Sequence, residues 1–235
     1  MTIKNQDEKQ SQLQGESQKL KFFEKTPLSA NKPKKLIVFL HGYGSSGKDL
    51  IALARDFGHD VPDAHFVSPN APFDLEGSIY GGYQWFSLAN RDPQIIYPQI
   101  LEANKILDAF LDQQLERFKL TYSDLILVGF SQGAMMANYN ALKNPIKING
   151  VISYSGRIIL PSLLGEKMTS KPRICLIHGK NDDVVPFDCF LEAKEILEKE
   201  QIPFEFHALE GLGHGIDHHG LRIGKNFLLN LKADK

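Results

Sequence analysis

The chain has 235 residues, 42% hydrophobic and 23% charged, with a formal net charge of -1, which is enough apolar material for one substantial core. Its basic residues are scattered, so no positive stripe is available for a nucleic-acid backbone or an anionic membrane surface. Two cysteines, Cys175 and Cys189, are too few for a disulfide framework in a chain with ample core.

Residues 1–19 are polar and rich in Gln and Lys, with no apolar segment of the kind a secretory signal needs, and read as a disordered tail. Residues 20–235 read as a single domain. Short aliphatic runs then alternate with longer amphipathic stretches, the pattern of a mostly parallel central sheet with helices on both faces. Strands are predicted at 36–40, 65–68, 125–129, 150–154, 173–178 and 204–209, with an extra one near 20–23. LIVFL, LILVG and ICLI are apolar without alternation, as expected of strands buried on both faces. Helical spacing falls at 49–57, in a stretch ending at Phe118, and at 132–142, 187–199 and 221–231. Asp92 and Pro93 form a start signal for the long one, while Pro98 inside its pattern predicts a kink or a later onset. The connections 69–91 and 157–171 exceed ordinary loop lengths and read as substrate lids or surface insertions. No run reaches the length of an integral membrane segment. With so little cysteine, these features predict a cytoplasmic protein, a homodimer being left open.

The strand LILVG runs into Gly129-Phe130-Ser131-Gln132-Gly133-Ala134 and then into a helical pattern. A serine on so sharp a strand-to-helix turn needs small neighbours, because side chains there would meet the strand and the helix. Its hydroxyl would project at the carboxyl edge of the sheet, with the backbone N–H of Gln132 available to an oxyanion at the helix start. A hydroxyl is a poor nucleophile at neutral pH and needs a base, which in turn needs an acid to orient it. Among the downstream histidines, His207 lies within a strand pattern and His178 ends one. His214 stands in the flexible turn Gly211-Leu212-Gly213-His214-Gly215 after the last strand and is preferred to His218 and His219. Asp182 and Asp183 follow RICLIH at another strand's carboxyl end, and spacing alone does not separate them. The glycine-rich turn His41-Gly42-Tyr43-Gly44-Ser45-Ser46-Gly47 offers the N–H of Tyr43 as a second oxyanion donor. As a phosphate loop it fails, since Gly47-Lys48 lacks the spacing and the following Ser or Thr.

These motifs resemble the phospholipase/carboxylesterase family of α/β-hydrolases, which includes the acyl-protein thioesterases. The resemblance rests on LHGYGSSGKDL, SPNAP, QWF, GFSQGA, HGKNDDVVP and GLGH, in that order along the chain. It implies an α/β-hydrolase fold without a large cap domain. It also implies Ser131 as nucleophile, His214 as base and Asp182, rather than Asp183, as the acid. No metal and no organic cofactor is implied, and the partner is a small-molecule or lipid acyl ester. Hydrolysis of short- to medium-chain acyl esters through an acyl-enzyme is the expected activity, with thioester or lysophospholipid cleavage as alternatives. Ser87 follows Trp85-Phe86 where the related thioesterases most often carry Asp, which points toward a bacterial-type carboxylesterase.

The aromatic, glycine-punctuated stretch containing Trp85 and Phe86 must pack into the core or cover something apolar, and both residues are expected at the acyl site. Two rival functions follow from the same residues. One is a hydrolase-fold protein that binds without turnover, whose signature would be a lost triad member. The other is a metal hydrolase using His214, Asp217 and His218, which would leave the elbow serine without a purpose.

Overall fold

The continuous hydrophobicity of the central strands is explained by where their alternate side chains go. The computed structural model describes residues 19–90, 92–159 and 170–231. Leu36, Val38, Leu40, Leu125, Leu127, Ile174 and Leu176 enter one buried cluster. Their neighbours Ile37, Phe39, Ile126, Val128, Cys175 and Ile177 enter another. Each central strand therefore buries both faces, and no polar alternation is possible.

The strands are β1 (Phe22–Lys25), β2 (Lys35–Leu40), β3 (Ala64–Pro69), β4 (Phe73–Asp74), β5 (Tyr83–Gln84), β6 (Leu125–Phe130), β7 (Gly150–Tyr154), β8 (Arg173–Gly179) and β9 (Phe204–Leu209). Seven of them form one sheet in the order β1-β3-β2-β6-β7-β8-β9. β1 is antiparallel to β3 and every other pairing is parallel. Helices α1 (Gly47–Leu50), α2 (Ala54–Gly58), α3 (Pro93–Phe118), α4 (Gln132–Lys143) and α5 (Phe187–Lys199) lie in the crossovers between strands, and α6 (His218–Asn230) follows the last strand. Buried residues of α3, α4 and α5 pack on one face of the sheet, and those of α2 and α6 on the other.

The predicted strands occur with shifts of no more than two residues at either end, and α5 has the predicted limits. Three features refine the expected pattern. The predicted helix 49–57 is divided by a 3-10 turn at Ile51–Leu53. Asp92 caps α3 by accepting from the N–H of Gln94 at 2.8 Å, and the helix continues through Pro98 to Phe118. Pro98 lies five positions after Pro93, in the second turn, and its missing N–H forfeits a single intrahelical bond, the one that Gln94 O would otherwise accept. Between β3 and α3, the β4–β5 hairpin replaces what the sequence offered only as a loop. The tail at 1–18 and most of the second predicted lid, at 160–169, lie outside the described residues.

The topology places the site. From β2 the chain moves to β3 on one side, then returns to β6 on the other, so the crossovers leave a crevice at the carboxyl ends of β2 and β6. His41 to Tyr43 follow one of these ends and Ser131 follows the other.

Candidate active site

Ser131 occupies the turn between β6 and α4 with φ 53° and ψ -119°, a backbone conformation that L-residues adopt only under strain. Its N–H donates to Tyr154 O at 2.9 Å and its carbonyl accepts from Met135 N at 3.1 Å, which hold the turn in place. The flanking glycines are dictated by backbone contact. A Cβ on Gly133 would lie 2.0 Å from Leu40 O, and one on Gly129 2.4 Å from Ala134 Cα.

The loops after β8 and β9 bring the acid to the histidine. Lys180 N donates to Leu209 O at 2.9 Å and Asn181 N to Leu212 O at 3.0 Å. A Cβ on Gly179 would meet Leu212 O at 2.2 Å, so the two loops approach as closely as backbones can. Within this arrangement His214 Nδ1 lies 2.8 and 3.0 Å from the two oxygens of Asp182. Asp182 Oδ1 also accepts from the N–H groups of Val184 and Val185, at 3.0 and 2.8 Å. Burial by itself would raise its pKa; the hydrogen bonds from His214 and the two backbone N–H groups outweigh that and hold the carboxyl below its ordinary value. Asp183 is exposed. Of the two adjacent carboxylates, Asp182 is the one that is buried and faces His214. Phe130, beside the serine, packs its ring 4.9 Å from the imidazole.

Ser131 and His214 line one cavity of about 540 Å³, together with Gly42, Tyr43 and Gln132. Its remaining wall is largely apolar and includes Phe86, Leu88, Ile96, Ile100, Met135 and Ile159. The first N–H groups of α4 have no intrahelical acceptor, so that of Gln132 is available where the cavity meets the helix.

Several supporting residues were not singled out from the sequence. The Gln132 side chain is buried and clamps the aromatic stretch: its Oε1 accepts from Trp85 N at 2.8 Å and its Nε2 donates to Phe86 O at 2.7 Å. His41 is fully buried, with Nδ1 donating to Gly42 O at 2.8 Å and Nε2 accepting from Ala71 N at 2.9 Å. This pairing requires the neutral ring, and burial pushes the pKa of His41 down in agreement. Asn70 accepts from Gly47 N at 3.0 Å. Gly44 N donates to Tyr83 O and Tyr83 N to Ser45 O, so β5 braces the loop that carries Tyr43.

Trp85 departs from expectation. It is fully buried and is not among the residues lining the cavity, whereas Phe86 is. Its indole N–H donates to His41 O at 3.0 Å, which makes it a brace behind the Tyr43 loop. An indole needs a partner for its N–H when buried, and a backbone carbonyl provides it. The rival metal set also separates: Asp217 caps α6 by accepting from Gly220 N at 2.7 Å, and His218 is exposed. Among the described residues, the group of three His, Cys, Asp or Glu side chains close enough to share an ion is Cys175, Glu205 and His207, none of which belongs to that set.

A family profile described as Phospholipase/Carboxylesterase matches residues 25–231. The chain belongs to this family. It is an ester-hydrolysing enzyme, and the relatives carry corresponding names. Acyl-protein thioesterase 1 homolog 1 of Dictyostelium discoideum is 29% identical, with 76% of this chain and 82% of that protein covered. Esterase YpfH of Escherichia coli strain K12 is 27% identical, with 85% of this chain and 84% of that protein covered. The crystal structure of esterase PE8 superposes with a TM-score of 0.85 at 39% identity, covering 91% of this chain and all of that one. The α/β-hydrolase fold is therefore shared with esterases of known structure. Among the described residues, no helix is long and apolar enough to cross a membrane.

Proposed function

We propose that the enzyme hydrolyses short- to medium-chain acyl esters through a Ser131–His214–Asp182 triad and an acyl-enzyme intermediate. The observation that carries this reading is the meeting of Ser131 and His214 on one largely apolar cavity, with His214 Nδ1 held 2.8 Å from the buried Asp182 carboxylate. With its proton on Nδ1, the imidazole presents Nε2 as the base. It takes the proton of Ser131 as Oγ adds to the acyl carbonyl. The N–H groups of Tyr43 and Gln132 receive the oxyanion. Collapse expels the alcohol, which leaves with the proton from Nε2; water then enters by the same route, and the acid is released. No step needs a metal or an organic cofactor.

The cavity volume of about 540 Å³ is ordinary for a small-ligand site. Each acyl methylene that Phe86, Leu88 and Ile100 remove from water contributes about 0.8 kcal/mol until the space is filled. A thioester has the same acyl carbonyl and a better leaving group, and the relatives named acyl-protein thioesterase support it as a second substrate class.

The test is a p-nitrophenyl ester series on wild type and Ser131→Ala. Loss of about a million-fold in kcat is expected for the variant, with kcat/KM in wild type climbing along the series and then levelling off. Turnover of the variant within tenfold of wild type removes the assignment of Ser131. A chain-length profile with no slope removes the apolar acyl site.

A further inference from the structure

The cavity wall has one feature that simple hydrophobic ester binding does not use. Among the described residues that line it, Arg157 is the one with a formal charge. Arg157 follows β7 and shares this wall with Val184, Pro186 and Cys189, at the start of α5. Its guanidinium makes one contact with Glu192, from Nη2 to Oε2 at 3.3 Å, and both side chains are close to half exposed. A single long contact of this kind is a weak holder for a planar fork that can grip a carboxylate through two parallel N–H groups. Beside it, α5 begins behind Pro186 with no side chain bonded over its end. Its first N–H groups therefore add a partial positive charge to the same part of the wall. Asp188 is the one acidic residue of that first turn, and it is exposed.

We infer that Arg157, beside the start of α5, forms an anion subsite, and that the preferred substrates are acyl esters bearing a carboxylate within reach of the ester bond. This rests on the catalytic reading above and narrows its substrate class. Among the described residues, Arg157 is the one cationic side chain on an otherwise largely apolar wall, and its partial exposure leaves the guanidinium free to meet an anion that enters the cavity. Glu192 keeps it partly neutralised while the site is empty. A substrate carboxylate then exchanges one acceptor for another, and the two-point geometry favours the substrate. Arg157 acts as a specificity-determining residue; it is not required for attack by Ser131.

Two matched pairs of probes distinguish where the anion sits. Mono-4-nitrophenyl glutarate against 4-nitrophenyl valerate places it on the acyl arm. 4-(Butyryloxy)benzoate against 4-acetylphenyl butyrate places it on the leaving group. In wild type, kcat/KM for the anionic member of at least one pair should exceed that of its neutral partner. In Arg157→Gln this ratio should fall about tenfold, chiefly through KM, while Arg157→Lys should retain part of it. Glu192→Gln, which removes the competing carboxylate, should raise the ratio. Raising the salt concentration should lower the ratio in wild type and leave it unmoved in Arg157→Gln. Ratios at or below one for both pairs in wild type, or the same ratio in wild type and Arg157→Gln, overturn the subsite. Hydrolysis of the neutral esters would persist in either of those cases, whereas its absence in wild type would overturn the esterase reading instead.

Discussion

Replacing Gln132 by Ala separates the backbone role of this residue from that of its side chain. The N–H proposed as oxyanion donor survives the change. What disappears is the buried clamp, Oε1 on Trp85 N at 2.8 Å and Nε2 on Phe86 O at 2.7 Å. Each of these backbone groups then loses its partner in a site with little access to water, at about 1–3 kcal/mol apiece. Partial relaxation of the stretch keeps the total near 3 kcal/mol. For a chain of this size each kcal/mol lowers Tm by roughly 2–4 °C, so a fall of about 6–12 °C is expected.

The activity of Gln132→Ala should fall for an indirect reason. Trp85 braces the Tyr43 loop through its indole contact to His41 O at 3.0 Å, and the clamp is what holds Trp85. A misplaced oxyanion donor weakens binding of the transition state more than that of the substrate, so kcat should drop by roughly tenfold to a hundredfold with a smaller change in KM. The assay is steady-state hydrolysis of p-nitrophenyl acetate well below Tm, beside thermal melting of both proteins. A Tm within 2 °C of wild type, on the scale set by the same thermal arithmetic, would refute the clamp energetics. Unchanged kcat in a variant that melts much earlier would refute the link from Trp85 to the oxyanion loop.

Asp182→Asn should lose about four orders of magnitude in kcat, while Asp183→Asn, altering an exposed side chain, should remain close to wild type; equal losses would mean the hydrogen bond to His214 does not matter. Ser131→Gly should melt above Ser131→Ala by the equivalent of about 1 kcal/mol, because the φ of 53° strains alanine and not glycine, and identical melting would show that the elbow stores no such strain. Asp108, on α3, accepts from Asn140 and Asn104 at 2.6 and 2.8 Å, and burial pushes its pKa up to about 6. Its folded-state pKa lies above the unfolded one, so the stability it allows is complete at acid pH and is lost as pH rises through about 6. Asp108→Asn should therefore gain on the order of 2 kcal/mol at pH 7.5 and nothing at pH 4, measured by urea unfolding at both values; an equal effect at the two pH values would remove the titration as its cause.

Most of the sheet was legible because buried parallel strands announce themselves as unbroken aliphatic runs between turn residues. LILVG and ICLI needed no other information. The elbow was legible as well, since its glycines follow from local backbone collision. What escaped was held by contacts far apart in the chain. Gln132 reaches back 47 residues to Trp85 N, and Ala71 reaches back 30 to His41 Nε2. No periodicity marks such pairs, and each of these side chains taken alone reads as an ordinary polar residue in a loop or on a helix.

The choice between Asp182 and Asp183 shows where local sequence stops being informative. The two are adjacent, chemically identical and in the same turn, so no propensity or spacing distinguishes them. Their difference is made by Gly179, where a Cβ would lie 2.2 Å from Leu212 O. Only because that position is bare can the β8 and β9 loops dock through Asn181 N and Leu212 O. The docked turn directs the Asp182 carboxylate to His214 and to the N–H groups of Val184 and Val185, and leaves Asp183 exposed. The same logic joins Gly133 to Leu40 O, setting Ser131 against the loop that carries Tyr43. Glycines that look like separate turn signals are thus the points where neighbouring strand ends touch. Replacing any one of them would move a candidate catalytic group by moving the backbone beneath it, with no change to the group itself.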